Sequence, residues 1–170
     1  MRRAQQEAIN SCTAGRLSET GVINDEGLVY QSVEHQYQIE KALYFNKPDV
    51  AALIRETEDA YHVKLIGKCK AGPNRDSGLK LTGDERKEWD RRTEDRADSL
   101  ACKTLAKAMH AKFNNNRRLT QLLLDTGDDN LVYKDDSAWW GNGNGKSGAL
   151  NLVGKELMII RSHLRKRANA

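Results

Sequence analysis

Glu34, Tyr37, Gln38 and Lys41 fall at positions i, i+3, i+4 and i+7 of one stretch. On a helix that spacing puts a carboxylate, a phenol, an amide and an amine on one face. Such a set can move a proton and bind a polar substrate, or it can be an ion-pair ladder on a solvated surface. A second group lies in 135–151. It holds adjacent aspartates, Asp135 and Asp136, adjacent tryptophans, Trp139 and Trp140, and glycines Gly141, Gly143, Gly145 and Gly148. Glycines let backbone N–H groups approach a ligand closely, and a helix start behind them favours an anion. The tryptophans offer flat faces for a base or sugar, and the aspartates offer acceptors or a general base. The same residues also describe a long turn with its tryptophans packed in a core.

The elements that must position these groups are mostly helical. Ser32 reads as an N-cap and starts a helix over 33–45. Before it, Val22-Ile23 and Leu28-Val29-Tyr30 can pair as a hairpin across 24–27. Pro48 opens a helix with Val50, Leu53 and Ile54 inward. Tyr61, Val63, Leu65 and Ile66 lead to Gly67-Lys68, and 71–81 reads as a loop around Gly72-Pro73-Asn74. Thr82 and Glu85 make a capping box that begins a long helix running to about Asn114. Its inward stripe is Ala97, Leu100, Ala101, Thr104, Leu105, Ala108, Met109 and Phe113, while 85–98 is charge-rich apart from Trp89. Arg118 to Leu124 forms a short helix that stops at Gly127. Leu131-Val132-Tyr133 gives a strand signal, and Val153, Leu157, Ile160 and Leu164 share one face of a final helix. Five helical patterns against two or three strand signals define an α+β chain, mostly helical, with a few short strands. With no repeat or linker, one domain is the economical expectation.

The composition excludes several classes. The chain has 170 residues, 38% hydrophobic and 31% charged, which suits a soluble globular domain. It contains no apolar run long enough to span a membrane, and the N-terminus has basic residues without the apolar core of a secretory signal. The three cysteines, Cys12, Cys69 and Cys102, lack CxxC or Cys/His ligand spacing. That predicts free thiols in a reducing compartment, cytoplasmic (or nuclear in a eukaryote), with no metal and no cofactor. The net charge of +4 gathers partly at Arg161, Arg165, Lys166 and Arg167. Such a tail either touches phosphates or complements the negative end of its own helix. No Ser-His-Asp pattern or P-loop competes with the two groups above.

Three blocks in order carry a family resemblance. The first is Ser32-Val33-Glu34-His35, followed by Tyr37-Gln38 and Lys41-Ala42. The second is Ala111-Lys112-Phe113-Asn114-Asn115-Asn116. The third comprises Leu122, Leu123, Thr126, Gly127, Leu131, Val132, Asp136, Trp140, Gly141, Gly143, Asn151, Gly154, Leu157, Met158 and Arg161. Together they resemble the NADAR (YbiA-like) family over roughly 22–165, placing that domain at 22–167 behind an N-terminal extension over 1–21. The family usually carries an F-S-N-F-like segment near Gly15-Arg16-Leu17-Ser18, where this sequence departs from it.

The resemblance implies a YbiA-like fold and N-glycosidase chemistry on a ribosylated amine. The substrate it implies first is ADP-ribose on the amino group of guanine in nucleic acid. The alternatives are a ribosylamino pyrimidine intermediate of riboflavin synthesis, or ADP-ribose binding without cleavage. Its implied catalytic residues are Glu34 as acid/base, Asp136 (with Asp135 as rival) for orienting water or ribose hydroxyls, and Lys41. Lys41 would either polarise Glu34 or attack a ring-opened ribose as a Schiff-base amine. Trp140 and Trp139 would stack on a base, and Gly141, Gly143 and Gly145 would admit a diphosphate. Gly67-Lys68 resembles the family's glycine–basic pair, so Lys68 would reach a phosphate. Gln38, Asn151 and Trp89 complete the implied substrate-binding set, with Trp89 standing equally as a packing anchor.

Overall fold

The computed structural model describes residues 21–24, 26–68, 78–90 and 98–169. The N-terminal extension, the Gly15–Ser18 segment, the Gly72-Pro73-Asn74 turn, Ala97, Cys12 and Cys69 lie outside them. The described residues divide into two compact units, one drawn from 13–112 and one from 113–170.

In the first unit, β1 (Val22–Ile23) pairs antiparallel with β2 (Val29–Tyr30), Val22 opposite Tyr30. Asn24 closes the hairpin: its Oδ1 accepts the N–H groups of Glu26 at 3.1 Å and Leu28 at 2.8 Å. Gly27, at φ 78°, supplies the left-handed step that side chains resist. α1 (Val33–Tyr44) starts where Ser32 accepts the His35 N–H, as an N-cap should. α2 (Pro48–Glu56) follows, with proline in its first turn, and α3 (Ala60–Lys68) returns. α1 packs against both. Ile39, Ile54 and Val63 are almost fully buried there, which is the main apolar drive holding the three helices together. His35 fastens the corner: one ring nitrogen lies 2.7 Å from Ser32 Oγ and the other 2.7 Å from the Thr57 carbonyl.

The long helix expected from Thr82 to Asn114 is instead two. α4 (Gly83–Trp89) has both halves of the capping box, then ends at Asp90. α5 (Leu100–Asn114) begins afresh after it, and residues 91–97 lie outside the described set. Seven residues of α4 bury only Trp89, so the amphipathic stripe that would have carried one helix onward is lacking there. In α5, Ala101, Ala108, Met109 and Phe113 of the expected stripe are buried, whereas Leu100, Thr104 and Leu105 are only half-buried.

In the second unit, α6 (Arg117–Leu124) is capped by Asn116, whose Oδ1 accepts the Leu119 N–H at 3.0 Å. α7 (Leu152–Ala168) packs on it and buries Val153, Leu157, Ile160 and Leu164. Two of the C-terminal arginines clasp the turn after α6. Arg161 donates to Thr126 Oγ1 at 2.6 Å and to the Asp129 carbonyl at 3.0 Å. Arg165 donates to Asp128 and to the Gly127 carbonyl. Both therefore satisfy backbone carbonyls of the turn that follows α6.

Residues 131–133 form no strand ladder. Asn151 takes the place of a partner strand: its Oδ1 accepts the Tyr133 N–H at 2.9 Å and its Nδ2 donates to the Leu131 carbonyl at 2.8 Å. The strand signal was a real extended tendency, satisfied here by one side chain rather than by a second strand.

Candidate functional site

The stripe on α1 is not a solvated ladder. Glu34 is half-buried, and its Oε1 accepts a hydrogen bond from Gln38 Nε2 at 2.7 Å. Gln38 is buried and inserts its amide against Gly67 of α3, where a methyl group would sit 1.9 Å from its Oε1. Lys41 Nζ donates to the Gly67 carbonyl at 3.4 Å and lies 5.9 Å from the Trp89 ring centroid, within cation–π range. Trp89 is 2% exposed, and its Nε1 donates to the Tyr37 hydroxyl at 2.8 Å. α1, α3 and α4 thus bring together Glu34, Tyr37, Gln38, Lys41, Gly67 and Trp89.

Burial sets the electrostatics of this group. It pushes the Glu34 carboxyl up from its ordinary value, against the lowering effects of the Gln38 hydrogen bond and the charges of Lys64, Lys68 and His35. Burial also pushes the Lys41 amine down, against the carboxylates of Asp90 and Glu34. The Tyr37 hydroxyl is pushed far up, chiefly by burial, and stays a neutral donor. Burial thus works on both groups in the same sense, favouring the neutral form of the carboxyl and of the amine. Lys68 is exposed at the end of α3, and its charge acts on both Glu34 and Lys41. Sequence reasoning passed over Gly67 as a contact and Asp90 as the carboxylate acting most on Lys41. Tyr37 was visible in the spacing, but its link to Trp89 was not.

A stability consequence follows. A carboxyl whose folded pKa lies above its ordinary 4.5 binds a proton more readily folded than unfolded. Folding stability then falls as pH rises from the unfolded value through the folded one. Glu34→Gln, which cannot ionise, should raise Tm relative to wild type at about pH 8, with the difference vanishing near about pH 4. Thermal scans of both proteins across that range check it; an equal Tm at both ends would mean that Glu34 is not desolvated.

The 135–151 loop is built largely from its own hydrogen bonds. Asp135 accepts the Ser137 N–H at 2.8 Å and the Tyr133 hydroxyl at 3.3 Å. Asp136 is exposed, and its side chain makes no hydrogen bond or ion pair among the described residues. Ser137 Oγ accepts the N–H groups of Trp139 and Trp140, which leaves the half-buried indoles edge to face, 6.2 Å apart. Gly141 has to be glycine because a Cβ there would lie 2.6 Å from the Tyr133 carbonyl oxygen. Gly143 adopts φ 53° inside a 3-10 turn over Gly143–Gly145. The N–H groups of Gly141 and Gly145 donate to Ser137 and Asn142, and those of Leu152 and Val153 to the carbonyls of Trp139 and Trp140. Several amides that the glycine pattern offered to an anion are thus occupied within the loop. Asn151, at φ 51°, uses both ends of its amide on residues 131–133. Among the described residues no cluster of His, Cys, Asp or Glu could hold a metal ion, and no helix is long and apolar enough to cross a membrane.

A helical frame whose one face carries a carboxyl pushed up and an amine pushed down by burial is suited to proton transfer at a leaving group. A family model for the NADAR domain matches residues 5–165, and the chain belongs to that family. It is 26% identical over 144 residues to the N-glycosidase Npun_R5314 of Nostoc punctiforme, covering 84% of this chain and 80% of that protein. The NMR structure of the E. coli protein YbiA shares the fold with a TM-score of 0.60 at 23% identity, over 86% of this chain and 74% of that one. The mostly helical α+β fold expected from the sequence is the YbiA-like one.

Proposed function

We propose that this chain is an N-glycosidase that hydrolyses the bond between ribose and an amino nitrogen, and that its substrate is ADP-ribose attached to guanine bases of nucleic acid. The observation that carries the glycosidase reading is the half-buried Glu34 carboxyl, raised by burial and fixed by Gln38 at 2.7 Å. Cleaving a C–N glycosidic bond requires a proton on the departing nitrogen, and a carboxyl pushed above its ordinary range by burial is better suited to deliver it than a solvated one. Lys41, with its amine pushed toward the neutral form, either tunes Glu34 or attacks C1 of the ring-opened ribose, expelling the protonated base amine to leave a Schiff base that water then hydrolyses to free the lysine and the sugar. The family resemblance supplies the nucleic-acid substrate, together with Asp136 as the carboxylate that orients water or the ribose hydroxyls. Asp136 suits that role in being exposed and uncommitted, whereas Asp135 is held by Ser137 and Tyr133.

The test has two substrate arms, guanine-ADP-ribosylated DNA and a ribosylamino pyrimidine phosphate, each assayed for released ribosyl product. Release of ADP-ribose from the DNA alone is expected. Release only from the pyrimidine would move the substrate to riboflavin synthesis, and release from neither would leave a binding domain. ADP-ribose itself should change the emission of Trp139 or Trp140 and raise Tm. Unchanged emission and stability at about millimolar ligand would reject this substrate class.

A further inference from the structure

Gly67 sits inside α3 with no positive φ, so its backbone conformation does not call for glycine, and alanine is the better helix former at such a position. What excludes a side chain is Gln38. A Cβ at residue 67 would lie 1.9 Å from Gln38 Oε1, 2.2 Å from its Cδ and 2.8 Å from its Nε2. The whole carboxamide therefore occupies the space that a methyl would need. Its Nε2 is aimed at Glu34, and its Oε1 is buried without a hydrogen-bond partner among the described residues. Leaving a buried acceptor unpartnered is unfavourable, so the amide is held where it is by packing rather than by its own best hydrogen bonding. The carbonyl of the same glycine receives Lys41.

We infer that Gly67 is a positioning residue for Glu34 and Lys41: the side chain it lacks is the space that fixes the Gln38 carboxamide on the acid, and its carbonyl fixes the amine. This rests on Glu34 being the acid proposed above. The Gln38 hydrogen bond favours the ionised carboxyl, so displacing that amide should make Glu34 hold its proton to higher pH. The other groups facing Glu34 are Lys64 and Lys68 of α3 and His35 of α1, with Tyr37 and Lys41 on its own helix face and Asp90 beyond them. All are retained in the variants below.

The experiment compares wild type, Gly67→Ala, Gln38→Ala and the double variant. The Glu34 carboxyl is titrated by ¹³C NMR, its signal assigned by its loss in Glu34→Gln, and kcat is followed against pH on the ADP-ribosylated guanine oligonucleotide. Gly67→Ala should move the Glu34 titration and the basic limb of the kcat profile upward. It should also lower kcat roughly 10- to 100-fold with KM little changed, the scale expected when a reacting group is misplaced. In the double variant the methyl enters space that Gln38 has vacated, so Gly67→Ala should add little to Gln38→Ala. An unchanged Glu34 titration in Gly67→Ala, or an effect that adds in full to that of Gln38→Ala, would overturn the inference. Should circular dichroism show Gly67→Ala unfolded, Gln38→Ala decides: an upward shift supports the inference, and no shift overturns it. The NMR titration needs no substrate, so a wild type that cleaves nothing refutes the glycosidase reading while the positioning role is still measured.

Discussion

Glu34→Gln should keep the fold and most ligand affinity while turnover falls roughly 10²- to 10⁴-fold, the usual contribution of a general acid or base. Glutamine has nearly the same shape, and its side-chain oxygen can still accept from Gln38 Nε2, which now bonds Glu34 at 2.7 Å. What it cannot do is pass a proton to the departing nitrogen. If Glu34 only braced α1, the same change would alter stability slightly and leave turnover alone, since isolated side-chain pairs are worth under about 1 kcal/mol. The two accounts differ by orders of magnitude in one measurement, single-turnover cleavage of an ADP-ribosylated guanine oligonucleotide by both proteins. A rate within about tenfold of wild type would remove Glu34 from proton transfer and shift attention to Lys41 and Asp136.

Much of the first unit could be read from local signals. Ser32 before α1, Pro48 at the start of α2 and the Thr82–Glu85 box before α4 are short-range devices, and each forms as written. The spacing of Glu34, Tyr37, Gln38 and Lys41 likewise put them on one face. Their environment was not legible, because it comes from α3 and α4, whose contacts leave no period in the sequence. Gly67 carries no mark distinguishing a packing glycine from a helix terminator; only its approach to Gln38 does. The break at Asp90 was missed because charge-rich residues with good helix propensity look continuous, although α4 buries little that could hold a longer helix. In the second unit the apolar face of α7 was plain, while the Arg161 clasp on Thr126 joins residues 35 apart and had no local signature. Asn151 shows the same limit: the family resemblance singled it out as a substrate-binding residue, but nothing in the sequence marked the extended segment it holds in place of a strand partner.

Trp89→Ala should destabilise the protein by about 3–5 kcal/mol, the range for truncating a large buried aromatic residue. Trp89 is 2% exposed and touches three other rings. Tyr37 lies 5.6 Å from it edge to face, with Tyr44 and Phe45 each at 6.0 Å. Alanine would leave a cavity between α1 and α4 and strip the Tyr37 hydroxyl of its indole donor. It would also remove the ring beneath Lys41, and with it an attraction worth roughly 0.5–2 kcal/mol for the charged amine. Trp89→Phe separates these effects. It keeps most of the buried area but loses the Nε1 hydrogen bond to Tyr37, a net loss of about 0.5–1.5 kcal/mol. Chemical denaturation of the three proteins checks the order: Ala far below wild type, Phe only a little below it, with similar m-values. A tryptophan whose main work is to stack on substrate would behave otherwise. Its alanine variant would raise KM while stability stayed within about 0.5 kcal/mol of wild type, as for ordinary surface substitutions. That outcome would mean that the Trp89 ring is free to leave its contacts with Tyr37, Tyr44 and Phe45 when ligand binds.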